Sequence, residues 1–313
     1  MQRVLITGAA GWTGGNLARR LEARSDLEVF AVDDQKPRVQ FASDFQRLSL
    51  DRLTLARHVL DVEPHIVFHL QSVHPTSEHG KNTEAEERIV GSLALFGAIE
   101  RLGTVRSVIV KSDTAFYGAS PRNPSVLNES TRPQGTPSRL QRDLTEMERF
   151  IGEAAIRHPD ISFTVLRFAP IFGPQVGNPI SRYLTLPSVP TLMGFDPRLQ
   201  FVHEIDAVSA LERAADHPVP GTFNVAGRGQ IYLSRILRLG RRIPQPLPGR
   251  LFDIALNGLQ RVGISVPDHL RGLLKHGRVV STKAMTETLG FEPTYTCRQT
   301  VLSAYGHQPE GER

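Results

Sequence analysis

The fold class predicted for this 313-residue chain is α/β: a doubly wound parallel sheet with a smaller carboxyl-terminal α/β lobe. Three observations predict it. Through the first half, short runs rich in β-branched residues alternate with amphipathic stretches long enough to carry the chain over a sheet face to the next parallel strand. The alternation stops after about six units, too few to close an eight-stranded barrel. Beyond Pro170 the texture changes to proline-rich loops at 173–197 and 244–248 with separate helical stretches, as expected of a lobe that covers the sheet's carboxyl edge.

Strands are expected at residues 3–7 (RVLIT), 27–32 (LEVFAV), 45–50, 66–70 (IVFHL), 107–111 (SVIVK) and 163–168 (FTVLRF). Runs this apolar suit strands buried on both faces. Apolar residues recur at the helical period in 14–24, 53–62, 84–102 and 140–158, and in the lobe at 251–262 and 283–289. Residues 1–170, with 198–228 returning to them, are expected to form the larger domain, and 171–197 with 229–313 the lobe. Asp206 opens Asp-Ala-Val-Ser-Ala-Leu and is expected to cap the helix that follows; His203, at a strand end, is expected to make a structural hydrogen bond.

A composition of 40% hydrophobic and 22% charged residues gives ample core. The tail from 307 to 313 is expected to be disordered. The first strand begins too early for an export signal, and no apolar stretch reaches the length of a membrane span, so a cytoplasmic location is expected. The single cysteine, Cys297, cannot form an internal disulfide and fits a reducing compartment. Between residues 231 and 280 nine arginines and lysines stand against two aspartates, an excess of seven in a chain whose net charge is +5. That window reads as a solvated basic surface or as a site for an anionic small molecule. Nucleic acid fits poorly, because aromatic residues hardly interleave the basic ones and no recognition motif accompanies them.

The sharpest motif is Thr7-Gly8-Ala9-Ala10-Gly11-Trp12-Thr13-Gly14, between the first strand and the first helix. Glycines at these places permit a tight turn and let backbone N–H groups approach a pyrophosphate at the helix N-terminus. The second strand ends in Asp33-Asp34, about twenty residues on, where a carboxylate can accept hydrogen bonds from an adenosine ribose. Asp33 also repels a 2′-phosphate, which favours NAD over NADP, while Lys36 and Arg38 keep NADP open.

With these residues in place the chain resembles the extended short-chain dehydrogenase/reductase superfamily, of the NAD-dependent epimerase/dehydratase type. The resemblance runs from Met1 to about Tyr305. It is carried by the glycine loop, Val67-Phe68-His69-Leu70-Gln71-Ser72, Thr114-Ala115-Phe116-Tyr117-Gly118, and Val165-Leu166-Arg167-Phe168-Ala169-Pro170-Ile171-Phe172-Gly173-Pro174. Phe201-Val202-His203-Glu204-Ile205-Asp206, Gly221-Thr222-Phe223-Asn224-Val225 and Leu289-Gly290-Phe291-Glu292-Pro293 follow in the family's order. The resemblance implies a Rossmann-type NAD lobe and a lobe that closes on a small-molecule substrate, often a nucleotide sugar. It implies cofactor contacts at Gly8, Gly11, Trp12, Thr13, Gly14, Asp33, Ser49, Leu50, Leu70, Gln71, Ser72 and Pro170. Family members often dimerise through the helices that match 84–102 and 140–158, so a homodimer is an expectation too.

The departures cluster at the chemistry. The family's proton-transfer pair is Tyr-x-x-x-Lys, and no tyrosine here has a lysine four residues on. One register puts Leu140 and Leu144 at those positions and another puts Ser138 and Arg142 there; Asp113 falls where the family has a substrate-polarising hydroxyl. Two family asparagines read as Arg88 and Pro170. A carboxylate in a partly desolvated cleft can act as a base or, protonated, as an acid. The acid–base candidates are therefore Asp113 with its neighbour Thr114, Tyr117, and His74 in the loop after the fourth strand. The expected activity is oxidoreductase, epimerase or lyase chemistry with a non-standard acid/base group. The alternative is a non-catalytic NAD(H)-binding sensor or partner-binding protein. No metal site is expected, because no His/Cys/Asp cluster has ligand spacing.

Overall fold

The computed structural model describes residues 1–48, 52–71, 82–134 and 136–307. Seven strands form one parallel sheet. Six come from the first half: β1 (Gln2–Thr7), β2 (Leu27–Asp33), β3 (Asp44–Arg47), β4 (Ile66–His69), β5 (Ser107–Asp113) and β6 (Ser162–Phe168). The connecting helices are α1 (Trp12–Leu21), α2 (Arg52–Val62), α3 (Asn82–Ile99) and α4 (Arg139–Arg157). After β7 (Ile171–Phe172), α5 (Pro179–Leu184), β8 (Ser188–Leu192), β9 (Arg198–Leu199), β10 (Val202–His203) and α6 (Glu204–Asp216), the chain returns as β11 (Gly221–Val225), the seventh strand of the sheet. The strand order is β11-β6-β5-β4-β1-β2-β3. The order reverses between β1 and β4, which opens a crevice at their carboxyl ends.

Alternation along each strand decides which helix layer it feeds. Val4 and Ile6 of β1 and Ile109 of β5 join a core with Leu17 and Leu21 of α1 and Val208 and Leu211 of α6. Leu5, Val108 and Val110 face the other way, onto Leu55 and Val59 of α2, Phe96 of α3, and Leu144 and Met147 of α4. Both faces are covered, which is why these strands read as continuous apolar runs.

The remaining elements are β12 (Ile231–Tyr232), α7 (Leu233–Leu239), β13 (Ile243–Leu247), α8 (Gly249–Gly258), α9 (Asp268–His276), α10 (Lys283–Glu287) and α11 (Cys297–Ala304). Except for α10, which packs on the sheet core through Met285, they build a separate core with α5, β8 and β9 around Tyr183, Phe201, Phe252 and Leu273. Cys297 is buried there and near backbone carbonyls; burial pushes its thiol up to about 11. No helix of the described residues is long and apolar enough to cross a membrane.

Two local expectations need correction. Asp206 does not cap α6: the cap is His203, whose Nδ1 accepts from Ile205 N at 3.2 Å, while its Nε2 meets Ser303 Oγ at 3.0 Å. Asp206 sits inside the first turn, buried, and accepts from the backbone N–H groups of Thr294 and Tyr295 at 3.0 and 2.9 Å, tying the chain that precedes α11 to α6. The fifth strand also runs two residues further than the apolar pattern suggests, through Ser112 and Asp113, both paired with β6.

Candidate active site

The floor of the crevice between β1 and β4 is made of backbone. Gly8 takes φ +79°, and a Cβ placed on it would lie 2.6 Å from the backbone nitrogen of Gln71. A Cβ on Gly14 would strike the carbonyl oxygen of Gly8 and lie 2.9 Å from Ala9 Cα, so α1 can approach β1 this closely only with glycine there. Gly11 differs. Its φ and ψ of −67° and 160° suit any residue, and a Cβ would meet only the Gly8 oxygen, at 3.6 Å. It is the N-cap of α1 with no side-chain cap, so the helix's first N–H groups are left to a ligand or solvent. Beneath the loop, Thr7 Oγ1 and His69 Nδ1 are 2.7 Å apart, and His69 Nε2 reaches Ser92 Oγ of α3 at 2.8 Å. Burial lowers the His69 pKa to about 4, so the bridge is made by a neutral ring.

Asp33 ends β2 beside this loop. Its Oδ2 accepts from Ala10 N at 2.8 Å and its Oδ1 from Gln35 N at 3.1 Å. Burial first, then the neighbouring Asp34, pushes its pKa up to about 6. The carboxylate that could accept ribose hydroxyls is therefore present above pH 6 and is lost as pH falls through it. NAD affinity is expected to weaken below pH 6, by up to about tenfold per pH unit for a single competing proton. Asp33→Asn should flatten that dependence in calorimetric titrations between pH 5 and pH 8. Gln71 adds a second polar group: its residue is buried, and neither atom of its carboxamide has a partner among the described residues. Two orphaned polar atoms at the switch point fit a site completed by a polar cofactor.

Trp12 and Thr13 begin α1, and the Trp12 indole donates to Gln175 Oε1 at 3.1 Å. Gln175 is held in turn by its backbone N–H on Glu204 Oε2 at 3.0 Å. Glu204 is buried, which raises its pKa, and its side chain fills the space a Cβ on Gly173 would need. The loop after β7 is thereby fastened across the mouth of the glycine turn. Pro170 lies at the base of that loop, half-buried, its carbonyl accepting from Val202 N at 3.2 Å.

At the end of β5, Asp113 caps a short 3-10 turn (Thr114–Tyr117) by accepting from Ala115 N at 2.5 Å. Its other carboxylate face is open enough for solvent, with 32% of the side chain exposed, and Arg278 Nη2 stands 3.9 Å from its Oδ1. Arg278 alone of the nine basic residues in the 231–280 window is buried. Its Nη1 donates to the Gly118 carbonyl at 3.4 Å and its Nε has no partner among the described residues. Burial lowers its pKa, with Asp113 opposing. Thr114 is buried.

Tyr117 does not reach this cleft, which removes it from the acid–base candidates. Its ring is fully buried; its hydroxyl donates to Asn224 Oδ1 at 2.7 Å and accepts from Arg167 Nη1 at 2.8 Å. Arg167 is bound by Glu148 through Nε and Nη2, at 3.0 and 2.5 Å, and Glu148 Oε1 also accepts from Ser112 Oγ at 2.5 Å. The phenol is a strut joining β5, β6 and β11. Tyr117→Phe is expected to cost about 1–2 kcal/mol in urea unfolding, through two lost hydrogen bonds, with NAD affinity unchanged.

Both registers for the missing pair have an address on α4. Leu140 and Leu144 are buried in the core beneath the helix. Ser138 is the helix N-cap, accepting from Gln141 N at 3.2 Å, and Arg142 bonds the Pro137 carbonyl at 3.0 Å. Ser49, Leu50, Ser72 and His74 lie outside the described residues. Leu70 is buried next to Gln71. Among the described residues no group of three His, Cys, Asp or Glu could hold a metal. One residue escaped the sequence reading: Lys111, on the same strand and two positions before Asp113. A lysine ending an apolar strand run reads as the strand leaving the core, and the Tyr-x-x-x-Lys pattern lies beyond it.

A parallel sheet with a glycine turn at its switch point and an acidic residue ending the second strand defines the doubly wound dinucleotide-binding class. The chain belongs to the NAD dependent epimerase/dehydratase family, whose model matches residues 4–226. It is 36% identical over 309 residues to uncharacterized proteins of Mycobacterium tuberculosis and Mycobacterium bovis, across 94% of this chain and 80% of each relative. Its fold is similar to that of UDP-glucose 4-epimerase from Thermotoga maritima solved with UDP-glucose, at 19% identity, TM-score 0.75, and 97% and 98% coverage of the two chains. It is also similar to UDP-glucuronic acid 4-epimerase from Bacillus cereus solved with UDP-glucuronic acid and NAD, at 16% identity, TM-score 0.74 and the same coverage, 97% and 98%.

Proposed function

We propose that this protein binds NAD and carries out an epimerase- or dehydratase-type oxidoreduction on a polar, anionic small molecule of the nucleotide-sugar class. The observation that carries the reading is the glycine turn. Gly8 and Gly14 have no room for a side chain, whereas Gly11 has room and still carries none, at the uncapped helix end where a pyrophosphate would lie. Gly11 and the first N–H groups of α1 would hold the pyrophosphate, Asp33 the adenosine ribose, and Gln71 the half of the cofactor nearer the substrate. A nicotinamide bound there supplies a hydride acceptor. The remaining chemistry falls to this chain. Asp113 would hold the substrate oxygen from the end of β5, and Arg278 would place positive charge behind it, where an anionic substrate gains from a desolvated cation. The UDP-sugar ligands of the structural relatives support this substrate class.

Calorimetric titration with NAD, NADH, NADP and NADPH tests the cofactor, with NAD expected to bind best. Incubation of the NAD-loaded protein with UDP-glucose and UDP-glucuronic acid, followed by nicotinamide absorbance and product separation, tests the reaction. Asp113→Asn retains an acceptor for Ala115 N and should leave NAD affinity unchanged while lowering turnover by about 100-fold or more. Equal turnover in that variant would remove Asp113 from the chemistry. One observation favours a second reading, non-catalytic NAD(H) binding: the α4 positions of one register are leucines committed to the core. Binding without any redox change or product across the panel would select it.

A further inference from the structure

We infer that Lys111 is the amine that takes and returns the substrate proton at this site, with Asp113 as its charge partner; the inference rests on the proposed function and assigns its missing base. β5 lies third from one edge of the sheet, between β4 and β6, and its regular pairing with β6 extends through Asp113. Alternation therefore puts Lys111 and Asp113 on one face and Ser112 on the other. Ser112 is spent on Glu148, on the α4 side. Lys111 follows Ile109 on the opposite face, in register with Leu166 of β6 and one step past the last β4 pairing, His69 with Val110. It thus stands at the carboxyl edge of the sheet, alongside Leu70, where the crevice opens.

A lysine is a costly residue there, because its apolar neighbours offer the charge nothing. Lys111 is half-buried, and among the described residues its ammonium makes no hydrogen bond or ion pair. Burial lowers its pKa and the charge of Asp113 opposes the shift. The other charged groups of the elements packed on this face are engaged elsewhere. Glu204 accepts from Gln175 N, Asp206 from Thr294 N and Tyr295 N, Glu212 from Arg20, and Arg213 donates to the Leu289 carbonyl. Arg278 stands 3.9 Å from Asp113 and shares that carboxylate's charge with Lys111. A lysine placed for structure would be expected to close on Asp113; this one is left able to lose its proton.

The step balances with an oxidised nicotinamide dinucleotide as hydride acceptor. The substrate O–H bond breaks and an N–H bond forms on the uncharged Lys111 amine. The oxygen's electron pair would close the C=O bond as the C–H bond of the carbon that bears it breaks, a bound nicotinamide supplying the hydride acceptor. The return step would give hydride back to that carbon and the proton from the Lys111 ammonium back to oxygen.

The test is competitive acetylation of the full chain with acetic anhydride between pH 6 and pH 10, with and without NAD, read peptide by peptide in a mass spectrometer. Lys36, Lys275 and Lys283 serve as internal references. Lys111 is expected to titrate below the references, and NAD to slow its acetylation about fivefold or more. A midpoint equal to the references overturns the inference, as does NAD binding in the calorimeter that leaves Lys111 unprotected. Absence of NAD binding overturns the functional reading and this one with it. Lys111→Met provides a readout that a structural role would move in the other direction: Tm should hold or rise, and a fall of several degrees would assign Lys111 to the fold.

Discussion

Replacing Arg167 by alanine is expected to destabilise the protein by about 3–5 kcal/mol, the range for breaking a buried ion pair from one side. The guanidinium and the Glu148 carboxylate are 6% and 7% exposed. With Arg167 gone, Glu148 would keep only Ser112 Oγ among the described residues and become a buried charge almost without compensation. Further losses add to this. Arg167 Nη1 donates to Tyr117 Oη at 2.8 Å and to the Glu129 carbonyl at 3.3 Å, and the guanidinium carbon lies 3.6 Å from the centre of the Phe116 ring. Lysine cannot replace it, since the two-pronged contact with Glu148 and the stacking on Phe116 both need a planar fork. The double variant Arg167→Met, Glu148→Leu should recover much of the loss, because neither charge is then left unpaired. Urea unfolding of both variants checks this; a single-variant loss below about 1 kcal/mol would mean that the pair is effectively solvated. The consequence for function is positional. The network joins β5, β6 and α4 directly beneath Asp113, so its loss should loosen the end of β5 before it touches the glycine turn.

The parts of this fold that were legible in the sequence are those where one physical cause dominates. β1, β2, β4, β5 and β6 are buried on both faces and announce themselves as apolar runs, and α4 by the spacing of Leu140, Leu144, Met147 and Ile151. The glycine turn was legible because two of its glycines answer to backbone crowding, which tolerates no substitute. β11 was harder, since Gly221-Thr222-Phe223-Asn224-Val225 is a short edge strand containing an asparagine, and it becomes a strand only by pairing along β6. The role of Tyr117 could not be read from its motif. A tyrosine at the end of a catalytic-looking segment and one pinned by Asn224 and Arg167 have the same sequence, and only the distances separate them. Asp206 failed as a cap for a related reason: it has a cap's residue type, but His203 already supplied the acceptor and Asp206 was drawn to the backbone before α11. Lys111 was invisible because a strand pattern ending in lysine reads as a strand leaving the core, whereas the pairing with β6 continues through Asp113.

Gly8→Ala and Gly11→Ala should separate what the glycine turn does for the fold from what it does for a ligand. At Gly8 the backbone sits at φ +79°, which costs alanine about 1 kcal/mol or more, and the new Cβ would lie 2.6 Å from both the Leu70 carbonyl carbon and the Gln71 nitrogen. Those atoms are backbone at the end of β4 and cannot swing aside. The strands must part, and the contact between Thr7 Oγ1 and His69 is the first to stretch. A loss of about 2–4 kcal/mol is expected, with NAD binding abolished in whatever remains folded. At Gly11 the backbone is ordinary and the nearest atom is 3.6 Å away, so Gly11→Ala should shift stability by less than about 1 kcal/mol. Yet its Cβ stands at the N-cap of α1, where phosphate oxygens would approach the free N–H groups, and NAD affinity should fall by about 100-fold. Denaturant titration and calorimetry on the same two preparations give four numbers. If Gly11→Ala binds NAD as the parent does, the open space at Gly11 is not a pyrophosphate cradle, and the strongest support for a cofactor at this helix end is gone.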